Sequence, residues 1–347
     1  MLNDEDFKRE AWQFFTITNP FFVSAFYERF SLIPDDDKKV LLEPFAWSNN
    51  IISLIEELDG ISNYKHSWDC FDIDVSHENK NPEYPIKQQD TIKNYPVWYG
   101  VAITNPPYLA KNSATRRWLT YEYPEYEDLY QKCLEVMLDN TKFVAAIIPE
   151  SFINSWLFVD RLYSFVSLTC KMFEDTDCPV CLALFVPHEV KQKDMSLDDF
   201  YLYRMDKKIW NYSLINSIID ELFSNQEQID WTFNDKEWDV WIVCIDNTKK
   251  PSIEFIKWDT INPDNIKVTS RSLTRVSWLP SSINLELFLE ECNKILNEYR
   301  IVSNDVCLTS FKWLRDDLFY RRRLDFKTAK MIMNTACFNI KRKQWLL

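Results

Sequence analysis

The chain reads as an α/β protein: a mostly parallel sheet flanked by helices, followed by a smaller α+β region. Three observations predict this. Short apolar runs that fit buried strands alternate with helical spacings between residues 38 and 186. Some of those runs, such as VAIT at 101–104 and VCLALFV at 180–186, are apolar throughout, as strands covered on both faces are. After Pro187 the alternation stops, and a charged stretch, HEVKQKDMSLDD, reads as a linker.

Taken in order, an aromatic segment, Gln13-Phe14-Phe15-Thr16, precedes a helix over 20–30. KKVLL at 38–42 reads as the first strand and 51–58 as a helix. Strands follow at 70–73 and 101–104, then a helix over 126–138 and a strand over 143–148 stopped by Pro149. Residues 161–169 carry helical spacing and 180–186 a strand. Beyond the linker come a helix over 212–223, strands over 241–245 and 253–257, and a helix over 285–299. The expected domains are therefore 1–190 and 191–347.

Composition narrows the function. The net charge of −13 over 347 residues argues against a generally sticky nucleic-acid binder. No apolar run approaches the 18 or more residues of a membrane span, and MLNDEDFKRE is too acidic and polar for a signal peptide. Nine scattered cysteines, with one CxxC at Cys178 and Cys181, and three histidines offer neither a zinc site nor a disulfide framework. The expectation is a cytoplasmic protein without a metal. Charge is nonetheless uneven: residues 301–347 hold ten Lys/Arg against four acids, a net of +6, which leaves −19 for residues 1–300. That tail, with Arg271 and Arg275 upstream, is a candidate phosphate-contacting surface; a solvated charged helix is the plainer alternative.

The sharpest motif is Asn105-Pro106-Pro107-Tyr108, directly after VAIT. It falls at the carboxyl edge of a parallel sheet, where α/β ligand sites form. The prolines fix the backbone and remove donors, so carbonyls can point outward. An Asn side-chain oxygen and a backbone carbonyl then make two acceptors for one exocyclic amino group. Tyr108 offers a flat face to a planar ring.

On this tetrapeptide the chain resembles the amino-methyltransferases that use S-adenosylmethionine, most closely the DNA adenine-N6 methyltransferases, over residues 11–187. The resemblance implies a Rossmann-like methyltransferase sheet with an antiparallel last strand and a C-terminal region that recognises the DNA target. It implies duplex DNA as partner, a cognate restriction endonuclease as a further one, and S-adenosylmethionine as cofactor. Asn105, Pro106, Pro107 and Tyr108 would be the catalytic set. Glu43-Pro44-Phe45-Ala46-Trp47 is similar to the first cofactor motif, EPxAGxG, with Glu43 toward the cofactor's amino group and Pro44, Ala46 and Trp47 in the turn. Asp72 would accept from the ribose hydroxyls and Asp90 from the cofactor's adenine amino group. Thr16, in a segment similar to GQFFTP but with Ile17 in place of proline, would close over the cofactor. Lys111, Arg116 and Arg117 in LAKNSATRR would meet DNA. Phe173 would form a second aromatic wall of the base pocket or belong to the core. Enzymes that methylate release-factor glutamine or RNA guanine N2 share the motif, and a DNA-binding relic without cofactor affinity is a third reading.

One feature resists the resemblance. The chain has 2 glycines and 14 tryptophans, where average usage predicts about 7% glycine. Tryptophan stands where the motifs call for glycine, at Trp12 and Trp47, and in glycine-like settings at Trp98, Trp118 and Trp156. Trp210, Trp278 and Trp313 lie in turn-like polar stretches, whereas Trp68 suits its strand. An indole at Trp47 would crowd a cofactor pocket. UGA is read as tryptophan in one variant genetic code and as glycine in another; a correctly read aromatic-rich chain is the alternative.

Overall fold

The apolar runs of the first two hundred residues pair into one sheet. The computed structural model describes residues 16, 18–58, 66–174, 176–262 and 272–345. Trp12, Gln13 to Phe15, Ile17 and Arg271 lie outside the described residues. The chain divides into two compact units, Met1–Tyr212 and Ser213–Leu347.

Among the described residues the first unit holds nine strands. They are β1 (Val40–Glu43), β2 (Ser67–Asp72), β3 (Ile86–Gln88), β4 (Val101–Thr104), β5 (Phe143–Pro149), β6 (Leu162–Ser167), β7 (Val180–Phe185), β8 (Tyr201–Arg204) and β9 (Lys207–Asn211). Their order is β3-β2-β1-β4-β5-β7-β6-β8-β9. The five strands from β3 to β5 are parallel. The expected antiparallel strand is β7, inserted between β5 and β6 and antiparallel to both. β4, β6 and β7 are buried along their whole length, which is why their sequences do not alternate. Leu134 and Met137 of the helix Leu129–Asn140 are fully buried where that helix packs on β5. Truncating either to Ala costs about 2–5 kcal/mol.

Two expectations are corrected here. Residues 161–169 are not helical: Leu162–Ser167 is β6, six consecutive buried residues pairing with β7 and β8. A short apolar run fits either a buried strand or a helix turn, and pairing on both edges decides for the strand. The boundary at 190 falls inside the first unit. β8 runs parallel to β6 and β9 closes the edge, so the sheet continues to Asn211. The charged linker is partly built in: His188–Lys191 is a helical turn, and the buried Lys191 ammonium donates to the carbonyls of Val159 and Leu197.

The second unit is α+β. β10 (Thr232–Phe233), β11 (Val240–Val243), β12 (Glu254–Lys257) and β13 (Leu273–Ser277) form an antiparallel sheet ordered β10-β13-β11-β12. β14 (Thr309–Leu314) and β15 (Tyr320–Arg323) form a hairpin. The helices Leu285–Ser303 and Phe326–Trp345 meet along an apolar seam that includes Phe288, Cys292, Ile332, Met333 and Ala336.

At its centre Asp246 is fully buried and tied to charge. Its carboxylate accepts from Arg300 at 2.9 and 2.8 Å, Arg315 at 2.7 Å, and the amides of Ser252 at 2.6 Å and Arg322 at 3.2 Å. Burial pushes its pKa up, but the two guanidiniums and the amides outweigh that and hold it below the ordinary value. Removing one partner of such a cluster costs about 3–5 kcal/mol. The basic tail is accordingly only partly a surface. Arg315 and Arg322 are buried, and Lys341 and Lys343 pair with Glu227 and Glu291.

Candidate functional site

The order of strands fixes where a site can form. Chain order runs outward on either side of β1 and β4, so the loops leaving these neighbours diverge and open a crevice at their carboxyl ends. A cavity of about 210 Å3 lies there. Its walls include Phe45, Ala46 and Trp47 after β1, Asp72 and Ile73 at the end of β2, and Asp90 to Ile92 after β3. Asn105, Pro106 and Pro107 after β4 complete it, with Leu129 opposite. Three of the four catalytic candidates and four of the cofactor candidates therefore share one cavity.

The turn after β1 is held by its neighbour strand. The Ala46 amide donates to the Phe71 carbonyl at 2.9 Å, and the Trp47 amide to Asp72 Oδ2 at 2.8 Å. Trp47 has φ 42° and Asn49 φ 63°, left-handed values that cost an L-residue about 1–2 kcal/mol. The Thr91 hydroxyl fastens the turn from the other side by donating to the Pro44 carbonyl at 2.8 Å.

The carboxylates divide their work. Asp72 lines the cavity, yet both oxygens accept backbone amides, from Trp47 and from Asp74 at 2.9 Å, so it braces the turn while facing the cavity. Burial raises its pKa. Asp74 turns away, accepting from the Ser76 amide at 2.9 Å. Asp90 also lines the cavity, and its Oδ1 accepts from the amides of Ile92 and Lys93 at 3.2 Å.

Glu43 is not on the cavity wall. It is buried behind the cavity wall, and its Oε1 accepts from Thr104 Oγ1 at 2.5 Å and the Phe45 amide at 3.2 Å. It thus links the end of β4 to the turn after β1. Its Oε2 is buried with no hydrogen-bond partner among the described residues. Burial pushes the carboxyl up to about 8, against the pull of the Thr104 and Phe45 donors. Thr16 is buried and bridged to Phe173, and its carbonyl accepts from Asn50 Nδ2 at 2.9 Å, at the start of the helix after the turn.

The loop after β4 is pinned from the helix side. The Leu109 amide donates to Asp128 Oδ1 at 2.9 Å, the Leu129 amide to the Leu109 carbonyl at 3.1 Å, and the Lys111 amide to the Glu127 carbonyl at 2.9 Å. Asp128 is pushed up to about 6 by burial, with the amides of Leu109, Tyr130 and Leu129 opposing. The Tyr108 hydroxyl lies 2.6 Å from both Asn105 Oδ1 and the Ile147 carbonyl. The expected open face of Tyr108 is not seen. The residue is buried, edge-on to Tyr130 at 6.2 Å and to Phe173 at 6.3 Å between ring centroids. Phe173 is thus brought to Tyr108 as a buried neighbour.

The basic candidates separate. Lys111 Nζ donates to the Pro124 carbonyl at 2.8 Å and is half-buried, whereas Arg116 and Arg117 are exposed at the end of the helix Lys111–Arg116. Sequence reasoning missed Asn50, Ile51, Ile73, Thr91, Ile92 and Leu129 on the cavity wall, and Asp128 behind it. The first five lie within a few residues of motif positions and could have been found by extending them. Leu129 and Asp128 reach the site only through tertiary pairing. Among the described residues, no cluster of side chains could hold a metal ion and no helix is long and apolar enough to cross a membrane.

No family model and no curated protein matches the chain. Among solved structures, a Listeria monocytogenes protein described as a class I S-adenosylmethionine-dependent methyltransferase is 15% identical. That match covers 56% of this chain and 67% of the other, with a TM-score of 0.39. The type I restriction-modification methyltransferase subunit from Streptococcus thermophilus is 12% identical over 55% and 49% of the two chains, with a TM-score of 0.35. A protein from Vibrio vulnificus described as a modification subunit of a type I restriction enzyme is 13% identical over 58% and 48%, also at 0.35. The match thus spans about half the length of the two restriction-modification subunits. At these scores the likeness assigns no activity to the chain.

Proposed function

We propose that the chain is an S-adenosylmethionine-dependent methyltransferase acting on adenine N6 in duplex DNA, as in DNA modification. The observation that carries the reading is the meeting of the turn after β1 with Asn105-Pro106-Pro107 in one crevice at the point where strand order reverses. The wall fits the cofactor in kind: carboxylates at Asp72 and Asp90 for hydroxyl and amino groups, and Phe45, Ile51, Ile73 and Ile92 for a purine face. It fits poorly in size, since small-ligand sites usually run to about 300–1,000 Å3, and the bulky Trp47 is part of the wall.

When bound there, the cofactor would supply an electrophilic methyl group. The protein's part is positioning and electrostatics. Asn105 Oδ1 and the Pro106 carbonyl accept the two N6 hydrogens, which localises the nitrogen lone pair and aims it across the crevice. Both acceptors would keep their hold on N6 as it takes the methyl group and gives up one proton to water. Asn105 Oδ1 has two lone pairs, so it can keep the Tyr108 hydroxyl while accepting one N6–H. Phe173 and Tyr130 would hold Tyr108 in place. A target base inside a duplex must first be flipped out, at a cost of a few kcal/mol. Arg116 and Arg117 supply exposed cations for phosphates beside the crevice, and the second unit would carry target recognition.

Methyl transfer from labelled cofactor, offered to duplex DNA, RNA and a release factor in parallel, tests this. Label in the adenine N6 of DNA is the expected result. Label in RNA guanine or in a glutamine amide would replace the substrate and keep the chemistry.

A further inference from the structure

The backbone separates the tryptophans into two kinds. Trp47, Trp98, Trp118, Trp156, Trp278 and Trp313 all have positive φ, at 42°, 82°, 59°, 57°, 80° and 69°. Only a few per cent of non-glycine residues adopt such values, and mostly Asn, Asp and His do so. Here thirteen described non-glycine residues do, and six are tryptophan. Among the described residues phenylalanine and tyrosine, thirty-six in number, contribute one, Phe158. Aromatic bulk is therefore not what selects the left-handed positions. Five of the six are also exposed, while Trp47 is half-buried against His77. Trp98 and Trp118 are 96% and 95% exposed, and Trp156, Trp278 and Trp313 are more than half exposed. Trp68, Trp231 and Trp241 behave otherwise. They are buried at 5%, 4% and 2% exposure, none has positive φ, and the indole N–H groups of Trp231 and Trp241 donate to Asn334 Oδ1 at 2.7 Å and the Trp258 carbonyl at 3.0 Å.

We infer that the six left-handed tryptophans are glycines in the protein its cell makes, specified by UGA in a code that reads UGA as glycine, and that Trp68, Trp231 and Trp241 are true tryptophans specified by UGG. Two letters with different codons, merged into one, give such subsets, one with glycine's backbone and one with tryptophan's packing; Trp210, Trp238, Trp258 and Trp345 belong to neither and are left unassigned. Glycine is the residue that adopts left-handed φ at no steric cost. The assignment reaches Trp278 and Trp313, where no motif asks for glycine. It leaves out Trp210, which does not have positive φ. Its functional consequence lies at position 47 and rests on the cofactor reading: a glycine there takes an indole out of the crevice wall and keeps the amide that Asp72 holds.

The triplets of the gene decide the decoding. UGA at all six positions with UGG at 68, 231 and 241 is expected; UGG at the six, or UGA distributed without regard to φ, overturns it. Two protein measurements stand beside it. Glycine at all six positions should raise Tm above that of the chain as written, and an unchanged or lower Tm overturns the backbone argument. Calorimetry with S-adenosylmethionine should show at least tenfold tighter binding for Trp47→Gly. UGA at position 47 with no gain in binding would instead overturn the cofactor reading of the crevice and leave the decoding standing.

Discussion

The two loops that meet in the crevice are built by opposite means. The turn after β1 depends on backbone freedom: two left-handed residues, Trp47 and Asn49, within three positions, held by amides donated to Asp72 and Phe71. The loop after β4 depends on backbone rigidity: two prolines, then amides and carbonyls paired to the segment around Asp128. A cofactor must be approached closely by main chain, which favours a residue without a side chain. An amine must be held by acceptors at fixed positions, which favours residues that cannot move. The contrast predicts that damage to one loop affects binding of the cofactor and damage to the other affects the chemical step.

The largest effect belongs to the rigid loop. Asn105→Ala should lower kcat about 100- to 1,000-fold, the range for one preorganised polar group facing developing charge, with cofactor affinity unchanged. Retained methyl transfer in this variant would refute the assignment of the acceptor. The flexible turn comes next. Asp72→Ala frees the Trp47 and Asp74 amides and should weaken cofactor binding about 10- to 150-fold, corresponding to about 1.5–3 kcal/mol for hydrogen bonds to a charged group, by calorimetry. If kcat falls and the dissociation constant does not, the division between the loops is wrong.

Glu43 joins the two loops, so its variant should touch both. Its carboxyl is pushed up to about 8 in the folded protein, against 4.5 ordinarily. Between those values the folded chain keeps a proton that the unfolded chain has released, so folding stability falls as pH rises from about 4.5 to 8. Glu43→Gln removes that titration while keeping an oxygen for Thr104 and Phe45. Denaturant midpoints measured across this window should be flatter for the variant, and an identical slope would show that Glu43 does not titrate there. The smallest effect lies outside both loops. Replacing Arg116 and Arg117 by Ala should leave cofactor affinity alone and reduce the dependence of DNA affinity on salt by at most about 2 in log–log slope.

What was legible in the sequence follows the range of the interactions. β1, β2, β4, β5 and β7 show as apolar runs because burial imposes composition locally. Asn105, Pro106 and Pro107 of the tetrapeptide, Asp72 and Asp90 are legible as motif positions and line one cavity, whereas Tyr108 is buried beside it. Leu162–Ser167 is not legible as a strand because six apolar-rich residues carry too few periods to distinguish strand from helix. Glu43 is legible by type but its place behind the wall is not, since only the approach of Thr104, sixty-one residues away, sets it there. Asp128 and the buried Arg315 and Arg322 were out of reach for the same reason. A charged residue in a sequence looks like surface until its partner is placed.

Asp246 has a consequence for the order in which the molecule is made. Its partners Arg300, Arg315 and the Arg322 amide lie 54, 69 and 76 residues further along. During synthesis this carboxylate emerges well before any of them and stays hydrated until the hairpin of β14 and β15 has followed. Each closure is an entropic loss that the contact must recover. The second unit therefore has no smaller folded precursor that contains a satisfied Asp246. A ribosome that stops short of residue 300 leaves behind a chain in which this carboxylate has neither guanidinium and stays in water.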